Sequence, residues 1–171
     1  MGSAGTIDGA FDANGADADM TSDEARELRT VGRFEEAVVL YERALALDAG
    51  RVDDWVNMGL ALWSLHRNEE ALAAYDHALA LVPRHALAWM NRGNVLHDLG
   101  RHAEVLDCYD RALEIDSHLA RAWYNKGDEM GRLGRIIEAK ACFENAHELG
   151  MTQAAEMVRY CDQILMDELY S

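Results

Sequence analysis

A spacing of 34 residues constrains this chain more than any other feature. It separates Trp55, Trp89 and Trp123, and it also separates Gly59, Gly93 and Gly127. Tyr75, Tyr109 and Phe143 keep the same register, as do Ala78, Ala112 and Ala146. One period before Tyr75, Ala78 and Ala71 stand Tyr41, Ala44 and Ala37. Self-similarity at a fixed period of this size means that each copy is one supersecondary unit stacked on its neighbours. The copies are 18–51, 52–85, 86–119 and 120–153.

The unit itself reads as two helices. Apolar residues fall at helical spacing over Val52–Leu65 and again over Asn68–Leu81, with His66-Arg67 as a polar break between them. In other copies the break is Gly32-Arg33, Gly100-Arg101 or Gly134-Arg135, where Gly can take a positive φ just past a helix end. Two helices of about 14 residues joined by so short a turn must run antiparallel. Gly59 lies inside the first helix, where it costs roughly 1 kcal/mol against Ala. The expected compensation is close helix approach, with Gly59 and Ala78 leaving room for Tyr75 and Trp55. A lone pair cannot bury both faces, so the pairs stack into a solenoid.

The motif Trp55-x-x-Met58-Gly59-x-x-Leu62, then Ala71-x-x-x-Tyr75, then Pro83, resembles the tetratricopeptide repeat. The first copy departs from it with Thr21 at the Trp position and Ala25 at the Gly position. The third has Val105 for Ala, and only the second has the closing Pro. The resemblance implies an all-α, right-handed α-solenoid of four antiparallel helix pairs, ending in a C-terminal capping helix over 154–171.

Composition narrows the partners. The formal charge of −15, from 16 basic and 31 acidic residues, argues against phosphate backbones and anionic membrane surfaces. No nucleic acid and no membrane are therefore expected as partners, and no apolar run approaches a membrane span. The N-terminus lacks the basic and apolar regions of a signal peptide. Cys108, Cys142 and Cys161 form no Cys-x-x-Cys pair and read as free thiols in a reducing compartment, so a cytoplasmic location is expected. Cys108 and Cys142 occupy equivalent positions, but no His cluster completes a metal set around them. No cofactor and no metal are expected.

Residues 1–17 are rich in Gly, Ala and Asp without one basic residue, which predicts a poorly ordered acidic tail. Asp12–Asp17 fails as a calcium loop, because Ala16 stands at the fifth position and Asp17 at the sixth, where Gly is needed. Thr21 with Glu24 forms a capping box and places the start of the first helix near Thr21. That helix has only Ala25, Leu28 and Val31 to bury. At the other end Thr152 can cap a last helix carrying Met157, Cys161, Ile164, Leu165 and Leu169 on one stripe.

No catalytic constellation is present. The seven His are scattered, none in His-x-x-x-His, and there is no phosphate loop or Gly-x-Ser-x-Gly elbow. His97 beside Asp98 is the best of them. An enzyme is not expected.

The resemblance implies that the first helix of each pair lines a concave groove for an extended peptide. Two residues after each Trp stands an Asn, giving Asn57, Asn91 and Asn125, with Asp23 in the first copy. In some family members such Asn residues clamp a peptide backbone, and a carboxamide suits the task because it both donates and accepts. Helices about 8–10 Å apart and a strand rising about 3.3 Å per residue would bring one Asn to every third ligand residue. The alternative is an Asn that binds only water or its own helix. Arg26, Leu60, Asn94, His97, Arg121, Asp128 and Arg132 complete the expected groove, with Trp63, Met90 and Tyr124 as candidate apolar pockets. The family's clamp for a C-terminal carboxylate is not expected, since only Asn57 matches among Ser22, Arg26, Asn57, Leu87 and Asn91. The function expected is thus a protein-interaction scaffold holding a protein or peptide ligand, itself a monomer. The alternative is a homo-oligomer assembled through its terminal repeats.

Overall fold

The computed structural model describes residues 13–169. Among these residues there are nine helices and no strand: α1 (Ala13–Thr30), α2 (Phe34–Leu47), α3 (Val52–Ser64), α4 (Asn68–Leu81), α5 (Ala86–Asp98), α6 (His102–Ile115), α7 (Ala120–Arg132), α8 (Ile136–Glu148) and α9 (Ala154–Leu169). Each odd helix packs along the even helix that follows it, and each even helix packs on the next odd one. The odd helices also touch across repeats, α1 to α3 and α3 to α5. They form the inner row of a helical solenoid of four antiparallel pairs, and α9 packs on α8 to close the array.

The turn inside each pair is one structure used four times. Gly32, His66, Gly100 and Gly134 all take positive φ, between 58° and 81°. The next residue, always Arg, donates its backbone N–H to a carbonyl five residues back: Arg33 to Leu28, Arg67 to Leu62, Arg101 to Leu96 and Arg135 to Met130, each at 2.9 Å. This is the Schellman closure that ends a helix on a left-handed residue. His66 carries a side chain where its equivalents are Gly. The same Arg residues then pair with Glu36, Glu70, Glu104 and Glu138 in the first turn of the following helix.

The helical glycines do what their cost predicts. A Cβ on Gly59 would stand 2.8 Å from the Tyr75 ring, one on Gly93 2.7 Å from Tyr109, and one on Gly127 2.8 Å from Phe143. Trp55, expected in the same space, lies elsewhere. It stacks on His77 with ring centroids 4.4 Å apart, and its Nε1 donates to the Ala49 carbonyl at 2.9 Å. Trp89 and Trp123 donate in the same way to Pro83 and Ser117, both at 2.9 Å. Each Trp thus ties down the loop that enters its own repeat.

Two ends differ from expectation. Helix α1 begins at Ala13, not near Thr21. Thr21 Oγ1 donates to the Asp17 carbonyl at 2.7 Å, so the hydroxyl bonds back into its own helix and caps nothing. Residues 13–17 of the expected tail are therefore helical, while residues 1–12 lie outside the described part. Ala18, Ser22 and Ala25 are buried, but Val31 lies beyond the helix and is exposed. Ser22 donates to the buried Asp54 at 2.5 Å, which also takes Arg51 Nε at 2.5 Å, so a polar cluster ties α1 to α3. At the C-terminal end α9 starts at Ala154, and Thr152 contributes its carbonyl to Ala155 N–H at 3.2 Å. On α9 Cys161 is buried, whereas Leu169 is exposed; Asp162 pairs with Lys140 of α8 at 2.6 Å. The three cysteines are free and buried.

Candidate functional site

On the inner row, α3, α5 and α7 together line a cavity of about 400 Å³. Helix α7 supplies Arg121, Tyr124, Asn125 and Asp128, helix α5 supplies Asn94, His97 and Asp98, and helix α3 supplies Trp63. These residues come together because positions 60, 94 and 128 share a register, as do 57, 91 and 125, and the odd helices stack side by side. Five expected groove residues, Asn94, His97, Arg121, Asn125 and Asp128, surround this one space.

Its floor is ordered by hydrogen bonds. Asn94 is buried, and its Oδ1 accepts from Tyr109 OH at 2.9 Å and from Asn125 Nδ2 at 2.8 Å. Trp63 Nε1 donates to Asp98 Oδ2 at 2.6 Å, which fixes the indole as one wall. Tyr124 presents its ring edge-on to Phe143 with centroids 5.3 Å apart. Two aromatic walls, a carboxamide floor, and exposed Arg121, Asp98 and Asp128 on the rim can hold an apolar side chain and several backbone amides.

The remaining expected residues lie apart from this cavity. Asn57 is half-buried and Asn91 is 7% exposed, so the three Asn share a register without sharing an environment. Leu60 is half-buried and Arg132 is exposed at the end of α7. Arg26 pairs with Asp23 at 2.8 Å and lines a separate hollow of about 420 Å³ with Arg51, Asp53 and His85. Met90 is buried core, not a groove pocket. Ser22 is spent on Asp54, so it cannot serve a carboxylate clamp.

Glu129 was not expected at the site at all. It is completely buried on α7, with Oε2 2.9 Å from His97 Nδ1 and Oε1 2.9 Å from His102 Nδ1. Its register is legible in the sequence: one and two periods back stand Val95 and Ala61, both fully buried. An acid at an apolar core position is the signal that could have found it.

Two sequence models of the tetratricopeptide repeat match the chain, one over residues 56–120 and the other over 120–150. The chain is a tetratricopeptide-repeat protein. No curated protein matches it by sequence. Solved tetratricopeptide-repeat structures share its fold at low identity. The MamA protein is 19% identical with a TM-score of 0.78, covering 87% of this chain and 82% of its own. YrrB, described as having an unusual peptide-binding site, is 22% identical with a TM-score of 0.73, covering 92% and 82%. The first such domain of Spaghetti (RPAP3), bound to the HSP90 peptide SRMEEVD, is 19% identical with a TM-score of 0.69 over 73% and 99%. At these identities the likeness is one of fold. None of the helices is long and apolar enough to cross a membrane among the described residues.

Proposed function

We propose that this tetratricopeptide-repeat protein is an interaction module that holds an extended segment of a partner protein along its inner row, with no reaction of its own. The observation that carries this reading is the cavity between Trp63, Tyr124 and the Asn94–Asn125 pair. Its aromatic walls accept one apolar side chain. Arg121 on one side and Asp98 and Asp128 on the other meet charges of either sign, and the carboxamides meet backbone groups. Two of the solved relatives are described as peptide-binding, which agrees with the reading.

The experiment is selection of a displayed peptide library on the intact chain, followed by titration of a selected peptide against variants. Asn125→Ala removes one carboxamide and leaves Asn94 still accepting from Tyr109, so folding should persist. Affinity should fall about 2- to 13-fold, the equivalent of one net hydrogen bond of about 0.5–1.5 kcal/mol. Tyr124→Ala should cost more, since it removes a wall. Unchanged affinity in both variants would move the binding surface off the inner row. Concentration-dependent light scattering addresses self-assembly through the end repeats: a constant monomer mass agrees with the receptor reading.

A further inference from the structure

Beside the peptide groove, and sharing His97 with it, one cluster has no account in the repeat architecture. Glu129 is a carboxylate at a position where the second and third repeats place Ala61 and Val95. Burying it without compensation is costly, and its compensation is incomplete. The Glu129 Oε1 and His102 Nδ1 atoms are buried and make no hydrogen bond of acceptable geometry, although they lie 2.9 Å apart. His97 Nδ1 meets the other oxygen at 2.9 Å. The two imidazoles approach edge to face, with centroids 5.9 Å apart at 80°. One ligand atom from each of the three residues lies within 4.8 Å of the others.

We infer that His97, His102 and Glu129 form a binding site for a divalent transition-metal ion of the zinc class. Two imidazole nitrogens with one carboxylate favour zinc, cobalt or nickel over calcium or magnesium, which take oxygen ligands. Bonds of about 2.0–2.2 Å place donor atoms within about 4 Å of one another. Closing the cluster around an ion thus needs ring movements of roughly 1 Å. The imidazoles have room for that, since the side chains of His97 and His102 are 28% and 39% exposed while Glu129 is fixed in the core. Because the ligands come from the end of α5, the start of α6 and the last turn of α7, an ion here cross-links the third repeat to the fourth. Three protein ligands leave a further position for water or another donor. The inference stands on these three side chains; His97 also lines the groove, and no peptide is needed to form the site.

The test uses the whole chain, stripped of metal by a chelator and then dialysed free of it. Zinc is titrated by calorimetry, cobalt by visible absorption, and melting is followed with and without zinc. The expected result is saturable binding of one ion per chain, cobalt bands at visible wavelengths, and a melting temperature raised by several degrees in excess zinc. His102→Ala, at the partly exposed first residue of α6, should keep its helicity and lose at least tenfold in affinity. Glu129→Gln should lose the cobalt bands; should it fold poorly, His97→Ala provides the second independent variant. Absence of saturable binding in the parent chain overturns the inference and leaves an ordinary imidazole–carboxylate cluster. So does parent-like affinity in His102→Ala, which would place the ion on other acidic groups.

Discussion

Gly93 shows how one residue carries information for a whole repeat. Its missing side chain is what lets Tyr109 lie against α5, because a Cβ would stand 2.7 Å from one ring carbon and 3.1 Å from the Cys108 Cβ. Ala is the better helix former by roughly 1 kcal/mol, but the ring and the helix backbone must part to admit it, and overpacking costs about 1–3 kcal/mol. Gly93→Ala should therefore be destabilising by about 1 kcal/mol, read as a lower midpoint in urea; a higher midpoint would show that the ring has room to move. His66 is the reverse case. It holds φ at 58°, where its three equivalents are Gly and nothing crowds the site. Relief of the left-handed conformation outweighs the added freedom of the unfolded chain, so His66→Gly should stabilise by about 0.5–1 kcal/mol in the same assay.

Among the helices, Trp123 holds the junction between the third and fourth repeats. It packs against both apolar clusters, the one running from α1 to α7 and the one shared by α7, α8 and α9. Its Nε1 also fixes the Ser117 carbonyl in the entering loop, and Lys126 lies 5.5 Å from its ring centroid. Trp123→Phe keeps an aromatic body and removes the loop bond, a loss of about 0.5–1.5 kcal/mol. Stability in stacked repeats is a sum of units and neighbouring interfaces, so the damage should be local. Hydrogen exchange should quicken in α7 and α8 before α1 and α2; uniform acceleration would mean that the array unfolds as one block. The asymmetry of the two ends follows from the same logic. Helix α1 is long, yet it is joined to the second repeat through the Ser22–Asp54–Arg51 cluster and few apolar side chains. Helix α9 relies on Cys161 and partly buried Met157 and Val158.

At the scale of the whole molecule, burial of protonated groups sets a pH limit. Burial pushes the Cys108, Cys142 and Cys161 thiols up, and it holds the Tyr41, Tyr75 and Tyr109 phenols above their usual range. Each group has a higher pKa folded than unfolded, so the folded chain keeps protons that the unfolded chain gives up. The resulting stability is complete below the unfolded thiol value of about 8.5. It is lost progressively as pH rises past that value and then past the phenol value of about 10. Melting temperature should fall from about pH 8.5 upward. The part of the tyrosinate absorbance that belongs to Tyr41, Tyr75 and Tyr109 should appear only with loss of helicity, whereas exposed Tyr160 carries no such report. Full tyrosinate absorbance from all six tyrosines while the helices persist would contradict the burial.

The 34-residue period was enough to establish the helix pairs, their turns and their stacking, because those features rest on interactions that recur within each copy. Gly beside an aromatic ring, a left-handed residue after each odd helix and Arg before each even one can all be read by adding 34. Deviations from the period needed the tertiary structure. Thr21 and Glu24 look like a cap, yet Thr21 lies inside α1 because the helix starts eight residues earlier; a local motif does not show what precedes it. Trp55 reads as filler for the space beside Gly59 and instead reaches Ala49, since helical side chains lean toward the N-terminus and Trp55 sits in the first turn of α3. The joining of Asn94 with Asn125, and of Glu129 with His97 and His102, depends on the rotation between successive repeats. That rotation comes from how all the side chains of two interfaces fit, and no single period contains it.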